Sequence, residues 1–308
     1  MKVIIVCQKS EFDKNSVKKI ERFVPVKWFD SDNIDISKIS ELKDNEKKIL
    51  ALSPVPFNWE LPEQFYSLLN NVKYISLVTT SYEYLNLDLC KKSGIKVTNV
   101  PHYSTDAVAE QAVFMTFALS KKFPEQIKNK YKYEFNDRVL GDNLKDKIVG
   151  LIGLGDIGKR IADIFSGIGL KISYWSRNKK NTDFEYKNLE KIISESDIVI
   201  PSVVSNKQTW NLLNKKNLKN LKKGAYFISL INEKVWDKRY LIERIERKEL
   251  GGLAFESNKE KMEKMKGNIL ILAPLAWYSK QSLKNNIDVW SDTIISCIKE
   301  KPINLICY

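Results

Sequence analysis

One stretch of the chain, Asp146 to Lys180 (DKIVGLIGLGDIGKRIADIFSGIGLKISYWSRNKK), restricts the possible folds more than any other. Its apolar run Ile148–Ile152 reads as a buried strand. GLGDIG follows, with Gly153, Gly155 and Gly158 at the GxGxxG spacing. Ile157, Ile161, Ile164 and Phe165 then recur at helical spacing, and Gly167 and Gly169 end that pattern. Leu170 to Trp175 is a second apolar strand. Strand, glycine turn, helix and strand in this order form the context that a dinucleotide-binding fingerprint requires. Gly153 permits the tight turn, Gly155 lets the backbone approach a pyrophosphate, and Gly158 lets the helix pack on the strand. The free N–H groups at the helix start, from Asp156 and Ile157 onward, then face the phosphates along the helix dipole. The alternative is a glycine-bearing turn that binds nothing, and the elements on both sides favour nucleotide binding.

The tip of the second strand indicates which nucleotide. An NAD site places an Asp or Glu there for the ribose hydroxyls. Here the tip reads Ser176, Arg177, Asn178, Lys179, Lys180, with a hydroxyl and three cations and no acid. That set suits a 2′-phosphate, with Arg177 as the planar clamp beside Ser176 and Lys179. NADP(H) is therefore favoured over NAD(H), against the blander reading of a solvated basic turn in a lysine-rich chain.

A chain of 308 residues suits two domains with ample core. No apolar run is long enough to span a membrane, and the start MKVIIVCQ reads as a strand and not a signal peptide. Cys7, Cys90, Cys297 and Cys307 form no CxxC pair and no metal pattern, which points to a reduced, cytoplasmic protein without a metal centre. The net charge of +13 raises the question of nucleic acid. The lysines are spread along the chain with much Asn and Ile, and no basic stripe with interleaved aromatics appears. Neither a nucleic-acid nor a membrane partner is expected. His102 is the only histidine, so any histidine-based chemistry must use it.

The remaining segments alternate strands and helices, which argues for parallel sheets. Lys2–Cys7, Lys48–Leu52, Tyr74–Val78 and Ile95–Val100 are strands, and Leu61–Leu69 is a helix among loops marked by Pro54, Pro56 and Pro62. Asp106–Lys121 is a strong helix whose broad small and apolar face comprises Ala109, Ala112, Val113, Thr116, Phe117 and Ser120. Lys132–Asp146 reads as a polar surface linker. Beyond the glycine unit, Asp197–Pro201, Ala225–Ile231, Leu253–Phe255 and Asn268–Leu272 are strands, and Lys216–Leu221 and Trp236–Arg247 are helices. A last helix, Ser282–Lys299, carries the stripe Leu283, Ile287, Trp290, Ile294 and Ile298. It is expected to return to the first domain, giving a discontinuous domain of residues 1–100 plus 276–308 around a cofactor domain of residues 101–275.

At this point the chain resembles the D-isomer-specific 2-hydroxyacid dehydrogenases, a family that includes phosphoglycerate dehydrogenase, glyoxylate reductase and hydroxypyruvate reductase. GIKVTNVPHYSTDAVAEQA (Gly94 to Ala112) is similar to the family's crossover between domains, and the fingerprint unit follows at the expected distance. SDIVIPSVVSNKQTWNLLN (Ser196 to Asn214), GAYFISLINEKVWD (Gly224 to Asp237), GGLAFESNKEK (Gly251 to Lys261), NILILAPLAWYS (Asn268 to Ser279) and KPINLI (Lys301 to Ile306) match later segments in order. The resemblance implies an α/β architecture of two Rossmann-like, doubly wound parallel-sheet domains with an interdomain cleft. The first of these would be a flavodoxin-like substrate domain. The resemblance also implies a homodimer built through the cofactor domain, and it places Val203, Thr209, Leu230 and Ile231 against the cofactor.

The family's chemistry uses an arginine to hold the substrate carboxylate, a histidine as acid–base and a glutamate to orient that histidine. By resemblance the arginine position is Asn232, the histidine position is Leu275, and only the glutamate position matches, as Glu260. Asn232 cannot form a bidentate charge pair with a carboxylate. Leu275 cannot move a proton, and general acid–base help is worth ~10²–10⁴-fold in rate. Ser81, Glu83 and Asn86 stand where the family's early substrate loop has a glycine and two aspartates. His102 follows Pro101 at a position where the family commonly has glycine. It is a candidate replacement acid, with Lys234, Tyr278 or Lys280 as carboxylate partners, against the preferred reading of a polar residue near a hinge.

Two functions follow. One is an oxidoreductase that transfers hydride between NADP(H) and a small 2-oxo or 2-hydroxy acid with non-standard catalytic residues. The other is a catalytically inactive family member that binds NADP(H) as a sensor or scaffold.

Overall fold

The computed structural model describes residues 1–8, 12–30, 34–61 and 63–307. Pro62, expected to mark a loop, lies outside the described residues. The chain divides into two compact units, Met1–Ser104 with Ser279–Tyr308, and Thr105–Tyr278. Residues 101–104, His102 among them, thus belong to the first unit and residues 276–278 to the second.

In chain order the first unit opens with β1 (Lys2–Val6), α1 (Lys14–Glu21), β2 (Val26–Phe29), β3 (Lys48–Leu52), α2 (Gln64–Ser67), β4 (Val72–Leu77), α3 (Leu87–Lys92) and β5 (Lys96–Thr98). The second unit contains α4 (Thr105–Ser120), α5 (Phe123–Lys128), β6 (Ile148–Ile152), α6 (Asp156–Gly167), β7 (Lys171–Trp175), β8 (Glu185–Tyr186), α7 (Leu189–Glu195), β9 (Ile198–Pro201) and α8 (Lys215–Leu218). It continues through β10 (Tyr226–Ser229), α9 (Lys238–Glu246), β11 (Gly252–Glu256) and β12 (Ile269–Leu272). The chain then returns to the first unit with α10 (Lys280–Ile298) and β13 (Leu305–Cys307).

The first unit's sheet runs β2-β1-β3-β4-β5-β13, parallel apart from β13, which pairs antiparallel with β5. The first five strands have the flavodoxin-like order 2-1-3-4-5. β1 (KVIIV) and β3 (KILAL) are near-continuous apolar runs because helices cover both faces of a parallel sheet. α10 is the firmest of those covers. Trp290 has no exposed surface, donates from Nε1 to the Ser76 carbonyl at 3.2 Å and meets Phe12 edge to face at 5.1 Å. Asn286 donates to the Val78 carbonyl at 2.8 Å. The buried face of α10 therefore runs through Asn286, Trp290, Thr293, Ile294 and Cys297, whereas Leu283, expected in the apolar stripe, is exposed.

The second unit's sheet runs β12-β11-β10-β9-β6-β7-β8 with every pairing parallel. Counted from β6, this is the doubly wound order 3-2-1-4-5-6 with one further strand. The order reverses between β6 and β9, so a crevice for a ligand opens beyond the carboxyl ends of those two strands. α4 supplies Ala109, Ala112, Met115, Ala118 and Leu119 to the core under this sheet. Phe117, expected on the buried face, is exposed, as is Phe114. The segment expected to be a polar linker has no regular element between Lys128 and Ile148, and it presents Tyr133, Phe135 and Leu140 to solvent. Its far end is anchored: Leu144 is buried, and Tyr226 Oη donates to Asp142 Oδ2 at 2.5 Å.

Trp290→Ala removes the ring that fastens α10 to the first sheet. It should cost ~3–5 kcal/mol in urea unfolding, and a cost under ~1 kcal/mol would contradict this packing.

Candidate functional site

Three chain segments meet at the point where the second sheet reverses. Gly153 N donates to the Trp175 carbonyl at 2.7 Å, and Ser202 N donates to the Ile152 carbonyl at 2.8 Å. Ser202 Oγ donates to the Gly153 carbonyl at 2.7 Å. Gly153 takes φ +108°, and a Cβ there would lie 2.8 Å from the Ser202 carbonyl oxygen. A Cβ at Gly158 would lie 2.5 Å from the Gly153 oxygen and 2.6 Å from Ser202 Oγ. Both glycines are therefore required by the packing of turn, helix and β9. Gly155 differs, because a Cβ there would meet nothing within 4 Å. The space beside it is open to a ligand.

The helix that starts here, like α2 and α5, has no side-chain cap. α1, α3, α7, α8, α9 and α10 begin with Asp13, Asn86, Asn188, Asn214, Asp237 and Ser279, each accepting a backbone N–H of the first turn. α6 begins with Gly155 and has no side-chain cap. The N–H groups at Ile157 and Gly158 and the positive end of the dipole thus point out of the turn beside the open space at Gly155. This arrangement suits a pyrophosphate.

The basic turn after β7 is held by its own hydrogen bonds. Ser176 is buried and donates from Oγ to the Asn178 carbonyl at 2.6 Å. Tyr174 Oη accepts from Lys180 N at 2.8 Å and donates to the Lys180 carbonyl at 3.2 Å. Arg177 and Lys179 are exposed and form no ion pair among the described residues. The turn therefore presents two cations on a fixed backbone, while the Ser176 hydroxyl already serves the turn itself.

Along the other half of the crevice, Val203, Leu230 and Ile231 are half-buried apolar residues packed against the two core clusters of this unit. Thr209 is buried, and its hydroxyl is bonded to the carbonyls of Val204 and Asn206 at 2.6 Å and 3.1 Å. It folds the loop after β9. Asn232 is exposed, and its Oδ1 accepts from Lys234 N at 2.9 Å, which leaves its Nδ2 donor directed elsewhere. Lys234 Nζ lies 4.8 Å from the centroid of Trp210.

Glu260 belongs to a charged cluster in the same unit. Lys238 Nζ donates to Glu260 Oε1 at 2.5 Å, Ser257 Oγ donates to Glu260 Oε2, and Lys238 also pairs with Glu233. Lys238, with Ser257, holds the Glu260 carboxyl below its usual range. Burial works against the charge on Lys238, but its two carboxylate partners outweigh it and raise its pKa. Leu275 is half exposed and packs no acid–base group. Its backbone N–H donates to Glu256 Oε1 at 3.1 Å, and that of Ala276 donates to the same oxygen at 2.9 Å. Burial pushes the Glu256 carboxyl above its usual range, against the pull of those two bonds. Sequence reasoning missed Glu256; its signal was its place as the last residue of β11, at the carboxyl edge of the sheet.

His102, Ser81, Glu83, Asn86 and Lys280 belong to the first unit, and Tyr278 ends the second. His102, in the first unit, is exposed at φ +62°, the left-handed region that favours glycine. Asn86 caps α3, Glu83 accepts from Tyr82 N, and the Ser81 carbonyl accepts from Thr79, all within the first unit. Tyr278 is exposed against Trp277, and Lys280 opens α10. All four cysteines are buried thiols. No helix among the described residues is long and apolar enough to cross a membrane.

The two kinds of glycine separate in a stability measurement. Gly158→Ala forces its Cβ onto the Gly153 carbonyl and should cost ~1–3 kcal/mol in thermal unfolding. Gly155→Ala should leave the unfolding midpoint near that of the parent, and equal losses for both would contradict the packing described.

Comparison with known proteins agrees with this geometry. Residues 113–272 match the family model for the D-isomer specific 2-hydroxyacid dehydrogenase, NAD binding domain. An aromatic 2-oxoacid reductase of Clostridium sporogenes is 27% identical over 245 residues, covering 71% of this chain and 73% of its own. A D-lactate dehydrogenase of Staphylococcus epidermidis is 25% identical over 308 residues, covering 90% and 93%. The solved structure of an acyclic imino acid reductase, Bsp5, in complex with NADPH and D-Arg superposes with a TM-score of 0.86 at 23% identity, covering 99% of this chain and 100% of that one. The chain belongs to the D-isomer specific 2-hydroxyacid dehydrogenase family.

Proposed function

We propose that this chain is an NADP(H)-dependent reductase of a small 2-oxo acid or a compound made from one. One observation carries the reading: the uncapped start of α6 stands beside the open space at Gly155, with the acid-free basic turn at the tip of β7. The relatives named for D-lactate and for aromatic 2-oxo acids support the substrate class.

Bound NADPH supplies the hydride. The N–H groups of Ile157 and Gly158 hold the pyrophosphate where Gly155 leaves room for it. Arg177 and Lys179 hold the 2′-phosphate. Val203, Leu230 and Ile231 give the nicotinamide half a dry wall, and Thr209 acts on it only by shaping the loop that carries Val203. Glu260 is a carboxylate kept ionised by Lys238, so it orients charge and donates no proton near neutral pH. His102 is assigned no role in proton transfer, and its position is one of backbone geometry.

A second reading, cofactor binding without turnover, is favoured by one feature. The side chain of Asn232 is engaged in a cap, and Leu275 is apolar where the family's chemistry needs a charge clamp and a proton. NADPH oxidation with a panel of 2-oxo acids, tried with and without added amine, separates the two. Turnover supports the reductase, and NADPH binding without any turnover supports the second reading.

We also propose a homodimer in the cytoplasm. Tyr133 and Phe135 are each 90% exposed and pack edge to face at 5.3 Å, and Phe114, Phe117 and Phe123 of the same unit are exposed as well. An exposed pair of packed aromatic rings marks an interaction surface, and a second copy of this chain would cover it. Four buried thiols fit a reducing compartment.

Two expectations follow. Arg177→Ala should weaken NADPH binding ~10–100-fold, the worth of a charge-assisted pair, with little change for NADH, as read by nucleotide fluorescence. An equal loss for both cofactors would contradict the 2′-phosphate assignment. The pair Tyr133→Ser and Phe135→Ser should shift light-scattering mass from two chains to one, and an unchanged mass would contradict the dimer surface.

A further inference from the structure

The reduction of a 2-oxo acid demands two things of its site. The substrate is an anion and needs a positive clamp. Its carbonyl oxygen also gains negative charge as hydride arrives and needs a proton. The two positions that the family resemblance ties to these roles supply neither, since they hold Asn232 and Leu275. β10 and β11 are adjacent, with Ser229 paired to Phe255, so Asn232 stands three residues beyond the end of β10 and Glu256 is the last residue of its neighbour β11. Neighbouring strands lie ~4.8 Å apart. Asn232 offers a neutral amide donor, Glu260 is ionised by Lys238 and Ser257, and Leu275 is apolar. Glu233 and Glu260 both pair with Lys238, and Glu256 is the carboxylate on this edge that pairs with no lysine among the described residues. Its Oε1 is fixed by two backbone N–H groups of the segment that carries Leu275, while Oε2 has no hydrogen-bond partner among the described residues and is not sealed from solvent.

From this juxtaposition we infer that the substrate is a 2-imino acid, the iminium formed from a 2-oxo acid and an amine, with its cationic nitrogen against Glu256 and its carboxylate on Asn232. The inference rests on the reductase reading above. A 2-imino acid is a zwitterion where the 2-oxo acid is an anion. It asks for one anionic and one donor group, which are the groups this edge carries, and an arginine is no longer required. Its nitrogen already bears the proton. The imine carbon gains the hydride, the electron pair of the C=N π bond passes to nitrogen, and the positive charge of the iminium is neutralised to give an amine and oxidised cofactor. No proton is taken from the protein, so a leucine at position 275 costs nothing. Glu256 is half-buried, and a charge pair there is less screened than in water.

The test uses the full chain with NADPH. Nucleotide fluorescence first establishes cofactor binding, and its absence would overturn both this inference and the reading beneath it. Pyruvate with methylamine, and the cyclic imine piperideine-2-carboxylate, should then be reduced at least ~100-fold faster than pyruvate alone, the lower range of acid–base assistance. Mass spectrometry should find N-methylalanine. Lactate formed from pyruvate at an equal rate, or no turnover of either substrate, would overturn the inference. In the first case the reductase reading would stand. An equilibrium measurement gives a second readout. In calorimetry with oxidised cofactor, N-methylalanine should bind ~10-fold or more tightly than lactate. Glu256→Gln keeps an oxygen for the N–H groups of Leu275 and Ala276 but removes the charge. It should erase that preference and leave NADPH affinity unchanged, and a preserved preference would overturn the role given to Glu256.

Discussion

Everything else in the second unit depends on one close contact, the approach of Gly153, Gly158 and Ser202. The three residues belong to the turn after β6, the first turn of α6 and the end of β9. No side chain fits at either glycine, and the Ser202 hydroxyl ties the strands by donating to the Gly153 carbonyl. That contact fixes where α6 begins and how it points. Its uncapped N–H groups follow from that placement, and so does the open space beside Gly155. A polar anchor between turn and strand thus converts a packing problem into a place where phosphate can be held.

The opposite half of the same sheet edge shows a different economy. Residues that the family resemblance ties to catalysis or to the cofactor are here tied to structure. Asn232 caps a short turn, Thr209 closes a loop, and Glu260 belongs to a lysine-centred cluster with Glu233 and Ser257. Lys238 lies 5.7 Å from the centroid of Phe255, so the cluster also covers the end of β11. Glu256 is the carboxylate there that pairs with no lysine among the described residues.

Much of this was legible in the sequence, for physical reasons. The glycine spacing, the buried parallel strands and the strong helices 105–120 and 280–298 are patterns that a single residue type or period announces. What escaped lacks such a pattern. α1 (KNSVKKIE) buries only Ser16 and Ile20, and β2 is half-buried at the sheet edge, so neither has a full apolar period. β13 is three residues long and gains its meaning from pairing with β5. Leu283 fits a helical stripe in sequence, but the helix turns Asn286 inward in order to reach the Val78 carbonyl. At the site, the residue types were legible and their engagements were not. Whether the hydroxyl of Ser176 or Thr209 faces a ligand or its own loop depends on backbone placement, and Glu256 drew no notice because its role depends on where residues 275 and 276 return.

The central claim is that hydride leaves a cofactor held at this turn and arrives at the second carbon of an acid. The most direct measurement follows a label. The protein is incubated with NADPH carrying deuterium at C4, pyruvate and methylamine, and the products are analysed by mass spectrometry and NMR. Deuterium at C2 of an amino acid product is the expected result. Deuterium retained entirely in the cofactor, with cofactor binding intact, would contradict the account.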